Sequence, residues 1–232
     1  MNVNVQVTPP KSIAANVARM TTISQPCIAR PQPSGKGRGL ADAAPRHASL
    51  TGLVRQRWSV RVGSATVLIR GAEPHDLAAV AEMHGRCSPQ SLLNRYRAGG
   101  RRPAVAALEN QLREPLSFVA ATYGGTIVAT AVASPDAEHG RDAAEIGLLV
   151  EDAWQGWHLG RELMSHIAGA TLVCGYRELI GYPATSVVAV QRLMIDVGHT
   201  RVVVGPDGTH LHTYLAESAA LGLGPVRERL AS

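Results

Sequence analysis

The segment Val150-Glu-Asp-Ala-Trp-Gln-Gly-Trp-His-Leu-Gly-Arg-Glu-Leu-Met164 joins an apolar run to a helical pattern through a loop that carries Gly156 and Gly160. Glycines beside a helix N-terminus let backbone N–H groups converge on an anion, and the helix dipole favours negative charge there. The spacing fits a pyrophosphate cradle, and equally a plain tight turn. No Gly-Lys-Ser/Thr follows, so this is not a Walker loop, and no βαβαβ series starts here, so it is not a dinucleotide fingerprint. His210-x-His212 would set two imidazoles on one strand face, which permits zinc, but no third ligand is evident and no metal is expected. Cys87 and Cys174 have no nearby His/Asp arrangement to activate a thiol and read as packing. Trp154 and Trp157 either frame a ligand or shield the loop.

The elements around this loop can be read from periodicity and punctuation. Ala65–Arg70 reads as a strand around Val67 and Ile69, and Glu73-Pro74-His75-Asp76 opens a helix with Leu77, Val80, Ala81 and His84 on one face. Ser88-Pro89 supplies an N-cap and a first-turn proline for a helix through Tyr96, and a third helix follows Pro103. Leu116–Thr122 and Thr126–Ala133 flank Tyr123-Gly124-Gly125 as a hairpin. Residues 143–151 form a buried strand, Leu159–Tyr176 a helix packed on the sheet, and Arg177–Tyr182 a further strand. Val190, Leu193, Met194 and Val197 mark a helix closed by Gly198. Arg201–Val204 and Thr209–Leu215 make a last hairpin around Pro206-Asp207-Gly208. The order β-α-α-α-β-β-β-α-β-α-β-β predicts a mixed α+β domain, and no internal repeat is visible.

The 232 residues, 45% of them hydrophobic, suffice for one large domain or an ordinary domain with a tail. No apolar run approaches the roughly 20 residues of a membrane-spanning helix. Three scattered cysteines exclude a disulfide scaffold and a CxxC metal site, which points to a reducing cytoplasm. The net charge of +5 is unevenly spread. Residues 1–62 hold nine Lys/Arg against the single acid Asp42, or +8, which leaves 14 basic and 17 acidic residues elsewhere, or −3. The basic part is a solvated arm without the dense Lys/Arg run or interleaved aromatics of a nucleic-acid binder. Its composition also resembles an organelle transit peptide. The expected organisation is a disordered arm over 1–62, dispensable to about residue 60, a domain over 63–215 and a tail over 216–232.

Taken together, element order and loop resemble the GNAT superfamily of acetyl-CoA-dependent N-acetyltransferases. The family signature Gln/Arg-x-x-Gly-x-Gly/Ala stands here as Gln155-Gly156-Trp157-His158-Leu159-Gly160, and Arg161-Glu162-Leu163-Met164 continues the helix. The resemblance spans about Val67 to Leu215. Ile69-Arg70-Gly-Ala-Glu73-Pro74-His-Asp76 and Ser88-Pro89-Gln-Ser91-Leu-Leu-Asn-Arg95-Tyr96 look like the acetyltransferase domains of bacterial protein-lysine acetyltransferases, with Gly71 and Gln90 as departures.

The resemblance implies a mostly antiparallel sheet whose fourth strand splays. It implies that backbone groups of Leu148, Leu149 and Val150 hold the pantetheine arm of acetyl-CoA. The N–H groups across Gln155, Gly156, Trp157, His158, Leu159, Gly160 and Arg161 would hold its pyrophosphate. Glu145, five residues before Val150, is the implied base that frees an acceptor amine, either a protein lysine or a small molecule. The plain alternative is a strand-end carboxylate that faces solvent or pairs with Arg141. His158 stands where the family prefers glycine, and neither the usual Asn near Ser186-Val187 nor the usual Tyr near Leu193 or Met194 is present. A proton donor would then be Tyr182 or water. A non-catalytic acyl-CoA-binding module is the competing expectation.

Overall fold

The computed structural model describes residues 56–97, 100–184, 187–205 and 208–216. The expected arm over 1–55 and the tail from 217 lie outside the described residues. Eight strands form one sheet in the order β1-β2-β3-β4-β5-β6-β8-β7. They are β1 Arg57–Val62, β2 Ala65–Gly71, β3 Leu116–Thr122, β4 Ile127–Pro135, β5 Ala143–Val150, β6 Glu178–Gly181, β7 Gly198–Gly205 and β8 Gly208–Leu215. The helices are α1 Leu77–Arg86, α2 Pro89–Tyr96, α3 Val105–Arg113, α4 Leu159–Val173 and α5 Val187–Ile195. All neighbouring strands pair antiparallel except β5 and β6. This is the expected α+β architecture. No described helix is long and apolar enough to cross a membrane.

Both faces of the sheet centre are covered, and for that reason β5 reads as an almost unbroken apolar run instead of alternating. Ala144, Ile146 and Val150 of β5 join one core with Phe118, Trp58 and the α4 residues Leu163, Met164 and Ile167. Leu149 joins the opposite core with Val80 and Met83 of α1 and Leu108 and Leu112 of α3. Glu145 and Gly147 share the parity of Leu149 and therefore its face.

Strand β1 overturns the expected boundary at residue 62. Trp58, Val60 and Val62 alternate with polar residues, β1 pairs with Ala65–Arg70 of β2, and Trp58 is 2% exposed against Phe118 and His166. Arg57 and Arg61 face outward on the same strand, so their charge made a structural segment read as part of the arm. A chain starting near Arg61 would lose Trp58 from the core.

Gly198 also has a different role from the one expected. The helix stops at Ile195, and Gly198 opens β7, where a Cβ would collide with the carbonyl of Tyr214. Close strand approach, not helix termination, calls for glycine there.

Candidate active site

The parallel pair β5–β6 is short. Only Ala143, Ala144 and Glu145 pair with Glu178, Leu179 and Ile180, while β5 continues to Val150 along β4. Beyond Glu145 the β6-facing edge of β5 has no partner strand among the described residues, so Leu148, Leu149 and Val150 lie along an open seam. The N-terminus of α4 closes the far end of the seam. Gly160 packs there, where a Cβ would stand in ordinary contact at 3.7 Å from Val150 and Leu193 and 3.8 Å from Leu148.

The loop into α4 is built from backbone. No backbone hydrogen bond within the described residues takes up the N–H groups of Gly156, Trp157, His158, Leu159 or Gly160. They lie at the positive end of a 15-residue helix, the arrangement that favours an anion. The two ends of the expected run behave differently. Gln155 N–H bonds the Asp152 carbonyl at 3.2 Å, and its side-chain amide donates to Ser91 Oγ at 3.0 Å and to the Val150 carbonyl at 2.9 Å. Arg161 N–H bonds the His158 carbonyl, and its guanidinium is held by Asp196 at 2.7 and 2.9 Å. Gln155 is therefore a brace, and the donors left for a ligand run from Gly156 to Gly160.

His158 explains the family's glycine by exception. It caps α4 with φ 65°, ψ 2°, a left-handed conformation that costs a residue with a Cβ roughly 1–2 kcal/mol. Its side chain is exposed. Trp157 lies across the β1–β2 turn, with its ring 3.2 Å from where a Gly63 Cβ would be.

Helix α2 is tied to this loop at its own N-terminus. Ser88 Oγ accepts from Ser91 N–H at 3.2 Å as the N-cap, with Pro89 in the first turn. Asp152 accepts from Ser88 N–H at 2.8 Å, Ser88 Oγ at 2.7 Å and Ser91 Oγ at 2.9 Å. Burial opposes the Asp152 charge, but these hydrogen bonds outweigh it and hold the carboxyl below its usual range.

At the other end of the seam, Glu145 is half-buried on the α1–α3 face of the sheet. Burial, aided by Asp136, raises its pKa above the usual carboxylate value against the opposing charges of Arg95 and Arg97. The solvent-facing alternative and the pairing with Arg141 therefore do not describe it. Arg95, from α2, lies so close over Gly147 that a Cβ there would collide with the guanidinium. Arg97 ends α2 in a left-handed conformation (φ 54°) and reaches to 3.3 Å from the Cβ position of Gly208.

Beside Glu145 stands a polar cluster that joins four elements. Tyr182, just past β6, donates to Asp136 Oδ2 at 2.7 Å, and its phenol is pushed well above its ordinary value by burial and by that hydrogen bond. His139 Nδ1 donates to the same oxygen at 3.0 Å. His210 and His212 of β8 complete the cluster, with ring centroids 5.9 and 4.9 Å from that of His139. The third imidazole that the sequence did not reveal is thus His139, some seventy positions upstream of the pair.

Residues 79–185 match the model of the acetyltransferase (GNAT) family. Over these residues the chain is similar to GNAT acetyltransferases, and its sheet and helices have the GNAT fold. Among solved structures, the GNAT domain of S. lividans PAT is similar at 20% identity, with a TM-score of 0.61 over 68% of this chain and 97% of that one. A GNAT-family acetyltransferase from Listeria monocytogenes 4b F2365 is similar at 12% identity, with a TM-score of 0.51 over 68% and 100% of the two chains. No curated protein sequence matches the chain.

The fold accounts for the opening motif as well. Arg70 and Asp76 form a two-pronged ion pair, both contacts at 2.7 Å, and Asp76 also accepts from Glu73 N–H at 2.8 Å. The six-residue spacing ties the end of β2 to the start of α1. Cys87, pushed up to about 11 by burial and by neighbouring carboxylates, is no nucleophile at neutral pH. Met194 is fully buried, and its sulfur would meet a Gly181 Cβ at 2.8 Å, so the position near the family's tyrosine is core. The sequence reading missed Arg95, Arg97, Asp136 and His139 as neighbours of Glu145. The Ser-Pro-x-Ser-x-x-x-Arg string was the available signal for Arg95, while the other three carry none.

Proposed function

We propose that the protein moves an acetyl group from acetyl-CoA to a primary amine, either a protein lysine or a small-molecule amine, by direct attack within one ternary complex. GNAT acetyltransferases as a family use acetyl-CoA. One observation carries the finer reading: the unpaired stretch of β5 has a carboxylate of raised pKa at one end and unused N–H groups of a helix N-terminus at the other.

Acetyl-CoA supplies an activated thioester. Gly156 to Gly160 fit its pyrophosphate because their donors are main-chain groups at a helix N-terminus, and Leu148 to Val150 present an open strand edge to the pantetheine arm. The acceptor reaches the site as an ammonium, with a solution pKa near 10. Glu145 takes one of its protons, which frees the nitrogen lone pair to form the new N–C bond as the C–S bond breaks. The nitrogen sheds its second proton as the amide forms, and the leaving thiolate takes up one proton relayed through water or through Tyr182, which stays protonated across the working range. A pKa raised by burial makes Glu145 a stronger base than an ordinary carboxylate. Arg95 and Arg97 keep it from being held permanently neutral.

Unfolding temperature and thiol release test this together. Millimolar acetyl-CoA is expected to raise the unfolding midpoint, since a ligand at 100 times its Kd adds about 2.7 kcal/mol. Thiol release should then depend on an added amine or lysine peptide. Absence of any shift overturns cofactor binding, while a shift without release for any amine favours a non-catalytic acyl-CoA-binding module.

A further inference from the structure

The polar cluster beside Glu145 contains more ligand chemistry than proton transfer needs. One ligand nitrogen from each of His139, His210 and His212 lies within 4.8 Å of the others. Two of these imidazoles are held by carboxylates through their Nδ1 atoms. His212 Nδ1 donates to Glu178 Oε1 at 2.9 Å, and His139 Nδ1 donates to Asp136 Oδ2 at 3.0 Å. A carboxylate can only accept, so each Nδ1 carries the proton and each Nε2 is left with its lone pair.

For His212 that lone pair is stranded. The side chain is 6% exposed, and Nε2 is buried with no hydrogen-bond partner among the described residues. A buried polar atom without a partner is costly and calls for an explanation. Here the explanation is at hand, because a carboxylate behind an imidazole whose other nitrogen is bare is the outer-shell arrangement found behind metal-bound histidines.

We propose that His139, His210 and His212 form a binding site for one divalent transition metal that favours imidazole, with zinc as the representative ion. Glu178 and Asp136 orient the ligands. Three imidazoles with a fourth position left for water make a recognised zinc ligand set. Tetrahedral Zn–N bonds of 2.0–2.1 Å require nitrogens about 3.4 Å apart, so the cluster must draw in by about 1 Å, within the reach of side-chain rotation. His139 sits on the β4–β5 connection and the other two on β8, so the ion would strap that loop to β8, two strands from β5 in the sheet. Softer thiolate-preferring ions lack a sulfur ligand in this cluster, and hard Mg2+ or Ca2+ prefer oxygen.

The test uses the full chain, stripped of metal with a chelator and titrated with Zn2+ by calorimetry and with Co2+ by visible absorption. The expected result is one ion per chain at micromolar Kd or tighter, with the intense visible bands of four-coordinate cobalt. His139→Ala and His212→Ala should each weaken zinc at least 100-fold and abolish those bands. Glu178→Gln should weaken it about 10–100-fold with the bands retained. His199→Ala, an exposed histidine outside the cluster, should change nothing. His139 is on a loop, so its variant decides the matter if His212→Ala fails to fold. Absence of saturable binding below 1 mM zinc overturns the proposal. So does stoichiometric binding that survives His139→Ala, which would place the ion elsewhere, for example on cysteines.

Discussion

The two ends of the β5 seam are built by opposite means. The cofactor end is a continuous run, Gly156 to Gly160, whose functional groups are main-chain N–H groups aligned by α4. The acceptor end gathers Glu145 from β5, Arg95 and Arg97 from α2, Asp136 and His139 from the β4–β5 connection, Tyr182 from the end of β6 and two histidines from β8. The first needs only a turn of the right shape and tolerates a side chain such as His158. The second depends on side-chain identity at every position and on the sheet register that brings distant residues together. Substitutions should therefore affect catalysis at the acceptor end and local stability at the cofactor end.

The largest expected effect is on the acceptor side. Glu145→Gln should lower turnover by about 10²–10⁴ while leaving acetyl-CoA affinity within a factor of about two, measured by steady-state kinetics and calorimetry. Because burial raises the Glu145 pKa, wild-type turnover should climb as pH rises through that raised value and the base form accumulates. The penalty of the variant should shrink at high pH, where free amine is abundant. The stability sign is the reverse: a folded-state pKa above the unfolded one means that this group's contribution falls as pH rises, so Glu145→Gln should be no less stable than wild type at pH 8. Unchanged turnover at all pH values would move the base to water or to Asp136.

Next in size is a change that touches the cofactor end from below. Trp58→Ala removes a side chain packed on Phe118 and on His166 of α4, and should cost about 3–5 kcal/mol in chemical denaturation. A chain begun at Arg61 should fail to fold, whereas one begun at residue 56 should keep the sheet. A stable Arg61 start would show that β1 is an ornament to the domain.

A smaller effect probes the joint between the ends. Ser88→Ala deletes the N-cap of α2 and one Asp152 contact and should cost about 1 kcal/mol. Since α2 carries Arg95 and its N-terminus braces the loop through Asp152, acetyl-CoA affinity and turnover should both move. A change confined to one of them would show that the ends are uncoupled.

The smallest effect is expected at His158. Glycine there relieves the left-handed strain but adds unfolded-state entropy, so His158→Gly should change stability by less than about 1 kcal/mol. Acetyl-CoA affinity should stay unchanged or improve modestly. A tenfold weakening at pH 6 that vanishes at pH 8 would instead make the imidazolium a phosphate ligand.

Nearly every element was legible in the sequence, because each carries its own local cause: Pro89 behind an N-cap, the Gly124-Gly125 turn, the four-residue spacing along α4. The exception, β1, was hidden by its outward arginines, since charge was weighed over the alternation of Trp58, Val60 and Val62. Gly198 was misassigned because a glycine after a helix has two explanations, and only the pairing partner Tyr214 distinguishes them.

The loop before α4 and the position of Glu145 on its strand were likewise within the reach of sequence, since a backbone turn is specified by consecutive residues and by its distance from a strand. The surroundings of Glu145 were not. That Arg95 crosses Gly147, that Tyr182 and His139 share one oxygen of Asp136, and that His139 meets His210 and His212 all follow from the register of β5, β6 and β8. Register is settled by burying both faces of the sheet at once, a condition on the whole chain that no short window of residues contains.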